Sequence, residues 1–327
     1  MWWMLVLYQI IAYSSFFLSM TLNFYLMFLI HKHTGSAMKP YAKILLQSVF
    51  TDLAMSISVT FLQMEMESYQ STLFGRGSPI WFSSTNPLKC SAIPFGGMLA
   101  ILCYWSTPLQ AVFRYFLVCR RKVLPIYVTI AMQSLVISIG FAACFALYLT
   151  FEPINEAPEK LRLLKSLPVW KYELGVEENF CYANIQGPIL AIACIVTVVL
   201  INFGFFVLLL TSWRIYVFLK ASEAHMSAKT KELHVAFNKK ILYQTLLPAF
   251  AAVLIIVIIG LAYFTKSFHS GIFIYLCVPY YMISFINPLI TICCVRGYRI
   301  TTTSILYRRK IPPSSECIAI TKRNTLV

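Results

Sequence analysis

Residues 90–115 read CSAIPFGGMLAILCYWSTPLQAVFRY. From Cys90 to Phe113 there are 24 residues without Asp, Glu, Lys or Arg, and Arg114 follows at once. At 1.5 Å per residue, a helix of that length reaches about 36 Å. The hydrocarbon core of a bilayer is roughly 30 Å thick, and about 20 apolar residues cross it. The stretch therefore reads as a membrane helix with a cysteine at one end and an arginine at the other. Working outward, the same test finds charge-free runs at 1–31, 123–151, 179–213, 241–265 and 267–295. A further run, 41–63, is nearly as apolar but carries Lys43 near its start and Asp52 near its middle. The expectation is an all-α bundle of seven transmembrane helices, at approximately 4–30, 41–63, 90–113, 124–150, 187–213, 241–264 and 270–295. Together they make one domain over 1–310, with a flexible cytoplasmic tail at 311–327 that begins at Pro312-Pro313.

Composition agrees. Of 327 residues, 59% are hydrophobic and only 12% are charged, about half the charge of a soluble globular domain. That excludes a disordered chain, a disulfide-rich miniprotein and an ordinary soluble enzyme. The net charge of +15 would suit a nucleic-acid partner only if it covered one soluble face. It does not. The 31–43, 114–122 and 214–240 connections and the tail hold 20 of the 27 Lys and Arg residues, and the other side holds seven. Basic residues gather on the cytoplasmic side of short loops, so the N-terminus is expected outside and the C-terminus inside. The first span has no basic leader and no cleavage pattern, which separates it from a signal peptide. The five His form no metal pattern, and neither a phosphate-binding loop nor a dinucleotide motif occurs. No enzyme activity, metal or cofactor is expected.

Of the ten cysteines, only Cys90 and Cys181 fall on the outer side by this topology. The exterior is oxidising, so a disulfide is expected between them; the alternative is two free thiols. Arg114-Tyr115 closes the third span, either as a headgroup anchor or as a contact that holds the inner ends of the helices or meets a cytoplasmic partner. Asp52 is the one acid in the apolar core, where a charge costs about 2.5–3.5 kcal/mol on insertion scales. Asn23 and Asn287 sit at similar depth, which suggests one polar switch network or, more simply, a packing contact. Pro248 and Pro288 interrupt the sixth and seventh helices and can kink them. The basic 214–240 connection reads as a docking surface or as a loop drawn to anionic lipid. The 296–310 stretch is suited to lie along the membrane surface.

Taken together these features resemble the G protein-coupled receptors. Asn23, Asp52, Arg114-Tyr115 and Asn287-Pro288 match signature positions of the rhodopsin-like class. Gln244-Thr245-Leu246-Leu247-Pro248, Asn287-Pro288-Leu289-Ile290-Thr291 and Tyr298-Arg299 are closer still to the nematode serpentine chemoreceptors of the Str superfamily, Srd-type or Srh-type. Leu22-Asn23-Phe24 and Phe113-Arg114-Tyr115 fit as well. The resemblance spans nearly the whole chain, and order and spacing carry it more than any single motif. It implies a receptor of the plasma membrane, in the cilia of sensory neurons, that binds a small chemical cue from outside and activates a heterotrimeric G protein. Arg114 and Tyr115 would face that protein. Depth alone puts Met98, Trp105, Tyr263, Tyr275 and Tyr280 among the ligand-lining candidates. The chain departs from the rhodopsin-like pattern at Phe113, where that class has an acid, and at Thr291, where it has Tyr. Micro-switch mechanics do not transfer wholesale. The alternative reading is a ligand-gated channel subunit or a small-molecule transporter, although a transporter of paired halves would show internal symmetry that this chain lacks.

Overall fold

The computed structural model describes residues 2–34, 38–78, 88–171, 175–222, 228–265 and 273–307. Seven long helices form the bundle: α1 (Trp2–His33), α2 (Lys39–Leu62), α3 (Ala92–Cys119), α4 (Ile126–Tyr148), α7 (Pro188–Ala221), α8 (Ala228–Thr265) and α9 (Val278–Cys294). Between them lie the strands β1 (Glu65–Tyr69), β2 (Thr72–Arg76), β3 (Glu152–Pro153) and β4 (Cys181–Asn184) and the short helices α5 (Pro158–Lys165) and α6 (Val176–Asn179). A final helix, α10 (Arg296–Leu306), follows α9. Among the described residues, six helices are long and apolar enough to cross a membrane. Helix α8, at 38 residues, supplies the seventh through its charge-free second half. Large apolar side chains point outward along them, among them Phe17, Phe141, Ile195 and Leu209, each more than 60% exposed. In water such a belt would aggregate; in lipid it is matched by its solvent.

Local chemistry sets the helix ends. Pro188 and Pro279 occupy first-turn positions of α7 and α9, where the missing N–H costs nothing, and Pro125 caps α4. Four ends differ most from the sequence reading. Helix α3 does not stop at Phe113; it continues through an apolar stretch to Cys119 and ends where Arg121 turns left-handed at φ 52°. Arg114 therefore lies inside the helix. Helices α7 and α8 run past the apolar spans, to Ala221 and from Ala228, and take up most of the connection expected at 214–240. The last span begins with a 3-10 turn, Phe273–Cys277, and residues 270–272 and the tail at 311–327 lie outside the described residues.

Helix α3 is the axis of the bundle, packing on α2, α4, α7 and α8, while α1 leans on α2 and α9. Across one end lies a folded cap. Its sheet runs β1-β2-β4-β3, antiparallel throughout. The β1–β2 hairpin turns through Gln70 and Ser71, both with positive φ (44° and 60°), which matches the twist of a two-residue hairpin. A disulfide joins Cys90, just before α3, to Cys181 in β4. Under the sheet, Trp170 and Phe180 are fully buried and meet edge to face, with ring centroids 4.9 Å apart. The Arg76 guanidinium lies 5.2 Å from both rings and donates to Glu65 at 2.5 Å. Trp170 Nε1 donates to the buried Glu67 carboxylate at 3.1 Å. Tyr182 donates to Glu152 at 2.5 Å; this bond first, and burial second, push its hydroxyl up to about 12. Cap and bundle share one core, in which Met64 and Phe74 join Leu5, Ile274 and Tyr281. Tyr8 ties the two by donating to the Met64 carbonyl.

Candidate functional site

The polar groups of the bundle collect in the half away from the disulfide. Proline 288 cannot bond the carbonyl one turn back, so the Ser284 carbonyl is left free in an apolar setting. Two donors from α1 fill it, Asn23 Nδ2 at 3.0 Å and Ser19 Oγ at 3.1 Å. The Asn23 amide also reaches the Ser19 carbonyl at 2.9 Å. Asn23→Ala should therefore leave a buried carbonyl short of a partner. We expect it to cost about 1–2 kcal/mol, read as an earlier melt of the detergent-purified chain, with Ser19→Ala adding to the loss.

One turn further along α9, Asn287 donates to Asp52 at 2.8 Å. Ser48, one turn before Asp52 on α2, bonds the same carboxyl. Gln110 of α3 donates to Ser48 at 3.4 Å and accepts from Lys240 of α8 at 3.0 Å. Gln244 then donates to the Asn287 carbonyl at 3.3 Å. The result is a closed ring through α2, α3, α8 and α9, in which the Lys240 ammonium and the Asp52 carboxyl face one another across Gln110 and Ser48. Lys240 is 1% exposed. A lone buried ion would be expensive, and this arrangement gives each a counter-charge and hydrogen bonds.

Below the ring, Arg114 is 3% exposed and turned into the bundle. It donates to Asn238 Oδ1 at 2.5 Å and to the His234 carbonyl at 3.0 Å, both on α8. Of the two readings offered for Arg114, this position departs from the anchor among headgroups. Tyr41 of α2 stacks on Phe237 at 4.4 Å and meets His234 Nδ1 at 3.5 Å, closing the same contact from the other side. Tyr115 is half-buried beside Phe116. On the surface nearby, Arg296 of α10 pairs with Glu232 of α8 at 2.8 Å.

Of the three residues expected to form one network, Asp52 and Asn287 meet directly, while Asn23 is held one turn away on Ser284. Gln110 and Asn238 were not singled out from sequence; Lys240 was read only as part of a basic connection, Gln244 only as part of a family motif and His234 only as a loop histidine. Their spacing carried the signal: Gln110 and Arg114 are four apart on α3, as are Lys240, Gln244 and Pro248, and also His234 and Asn238, on α8. Side chains four apart share a helix face.

The expected ligand-lining residues scatter. Tyr280 faces the interior, its hydroxyl reaching that of Tyr104, which in turn donates to the Pro248 carbonyl at 2.9 Å. A cavity of about 10 Å3 beside Tyr104 and Pro248 has room for one water. Met98 packs against Gly140 of α4, where an added Cβ would stand 3.1 Å from its Cγ. Trp105 lies against Gly204 and Phe203 of α7. Tyr275 donates to the Met4 carbonyl at 3.0 Å. The side chain of Tyr263 lies outside the described residues. No group of three metal-binding side chains occurs among the described residues.

Residues 8–304 match the family model of the serpentine type 7TM GPCR chemoreceptor Srd. Among solved structures, squid rhodopsin superimposes with a TM-score of 0.52 at 14% identity, covering 95% of this chain and 89% of that one. At that identity the likeness speaks to the fold. No curated protein matches the sequence.

Proposed function

The chain belongs to the Srd family of serpentine seven-helix chemoreceptors, and from that premise we propose that it binds a small organic cue at the disulfide end of the bundle and signals to a heterotrimeric G protein at the other. It is a multi-pass membrane protein of the G protein-coupled receptor type, in a family of receptors rather than enzymes. The Srd match narrows the two Str-type relatives suggested by sequence to one. The charge split puts the disulfide end outside the cell and the Arg114 end inside. The cue would settle above Tyr104 and Tyr280, in a ciliary membrane of a sensory neuron.

The observation that carries this reading is the Arg114 contact. A buried cation of α3 is held by one side chain and one carbonyl of α8, so separating the two helices frees a guanidinium at the basic face. A cue that binds the separated arrangement better would shift the population toward it. The test expresses the full chain and measures recruitment of a conformation-selective G-protein α surrogate during a screen of pooled volatile and water-soluble compounds. Cue-dependent recruitment supports the proposal. Cue-dependent ion or solute flux without recruitment would replace it with a channel or transporter. Epitope tags in intact cells should be reached by antibody at the N-terminus and not at the C-terminus; a buried N-terminal tag would reverse the assigned orientation.

A further inference from the structure

A groove of about 1080 Å3 runs down the outside of the bundle, between α2 and α4, with α3 as its floor. It exceeds the roughly 300–1,000 Å3 of most small-molecule sites. Phe50, Ile130 and Ile137 at its rim are strongly exposed, so it opens sideways into lipid rather than into the bundle. From Lys43 to Ser58 the α2 wall covers 16 residues, about 22 Å along the axis. That is longer than one leaflet of a ~30 Å core.

The wall is not uniformly apolar. Lys43 stands at the end opposite the disulfide, and the exposed Arg121 and Lys122 immediately precede Val123 on the same rim. One turn deeper, about 6 Å along α2, comes Gln47, and Gln133 enters from α4. Neither amide is bonded through its side chain to any described residue, and both are half-buried. Amides facing hydrocarbon without partners are costly. Beyond them the walls are mainly apolar, Met55, Leu102 and Ile137 among them, with only the small hydroxyls of Thr51, Ser58 and Ser134 between. Read from the basic end, the order is cation, amides, then hydrocarbon.

We propose that this groove binds one anionic phospholipid, with its phosphate at Lys43, its ester carbonyls accepting from Gln47 and Gln133, and an acyl chain lying along α3. On the orientation assigned above, the lipid comes from the inner leaflet. A zwitterionic lipid would fit the hydrocarbon and the amides but lacks the net charge that the basic mouth selects. A surface-near basic residue is worth about a fivefold preference for anionic lipid.

The experiment is native mass spectrometry of the detergent-purified full chain, titrated separately with dioleoyl phosphatidylserine and dioleoyl phosphatidylcholine. The wild type should retain a single phosphatidylserine about fivefold more strongly. Lys43→Glu should erase the preference, Gln133→Leu should weaken retention of both lipids, and Ile137→Trp, which fills the groove, should remove both. Lys43 is exposed and Ile137 faces lipid, so neither change threatens the fold, and Lys220→Glu at the far end of α7 serves as control. Equal retention of the two lipids by the wild type would overturn the proposal. So would a preference that survives Lys43→Glu, or competition by glycerophosphoserine as strong as by the intact lipid, since that would leave the groove no part in binding.

Discussion

Asn238→Ala is expected to raise recruitment of the G-protein α surrogate in the absence of any cue by about tenfold. A hydrogen bond to a charged group contributes about 1.5–3 kcal/mol, and each 1.4 kcal/mol is a factor of ten in a two-state equilibrium. Asn238 supplies one of the two α8 acceptors of Arg114. Its loss leaves Arg114 with the His234 carbonyl as its one remaining partner on α8 among the described residues, and the closed arrangement loses stability that the open one never had. Arg114→Ala removes the same contact but also the cation that the open arrangement would present. It should abolish recruitment, with or without cue, at matched surface expression. The opposed signs separate a coupling contact from a packing one. Equal losses in both variants would mean that Arg114 and Asn238 merely hold the fold together.

Cys181→Ser should lower the unfolding free energy by about 2–5 kcal/mol and reduce the surface fraction severalfold. Cys90 and Cys181 are 91 residues apart, and in the chain-entropy account a loop of that length is worth about 4–5 kcal/mol. The bond also fixes β4, whose Cys181 pairs with Gly75 of β2, so the hairpin loses its neighbour when β4 is released. Both cysteines are buried, and a lone thiol would then sit in the cap. The double variant with Cys90→Ser should be no worse than the single one, and dithiothreitol on the wild type should reproduce the melt of either. An unchanged melt after reduction would show that the cap folds without its covalent tie.

The bundle was readable because charge is scarce: six long charge-free runs, and a seventh broken only by Lys43 and Asp52, locate seven helices. The same rule hid the rest. Glu65, Glu67 and Arg76 fall between two spans and counted only as charges of the outer side, yet they are 5%, 0% and 4% exposed beneath the sheet, with Arg76 on Glu65 and on aromatic faces and Glu67 on Trp170. The β1–β2 turn carries Gln70-Ser71 rather than the Asn-Gly that normally announces positive φ at both positions, so no turn signal marked it. Lys240 stopped the apolar count and was assigned to a connection, although its ammonium is buried against Gln110. Charge marks a helix end only when nothing inside the bundle can receive it. Asp52 and Asn287 were found because an acid in an apolar run has no bland place to go. The polar partners that complete their ring are ordinary Gln and Ser residues, and only the packing of four helices makes them neighbours.

Helix α8 can also be treated as a beam. Pro248, braced by the Tyr104 hydroxyl, lies 17 residues from Thr265 and 20 from Ala228, giving arms of about 26 and 30 Å. Such a beam neither amplifies nor wastes travel: what a guest displaces at one tip returns at nearly the same amplitude at the other. Asn238 sits about 15 Å along the second arm, so a tip displacement of about 1.5 Å would arrive there as nearly 1 Å. Starting from 2.5 Å, that stroke carries the Arg114 contact past the ~3.2 Å at which hydrogen bonds weaken. On the proposed mechanism, a guest of a few heavy atoms would have the reach to trip it.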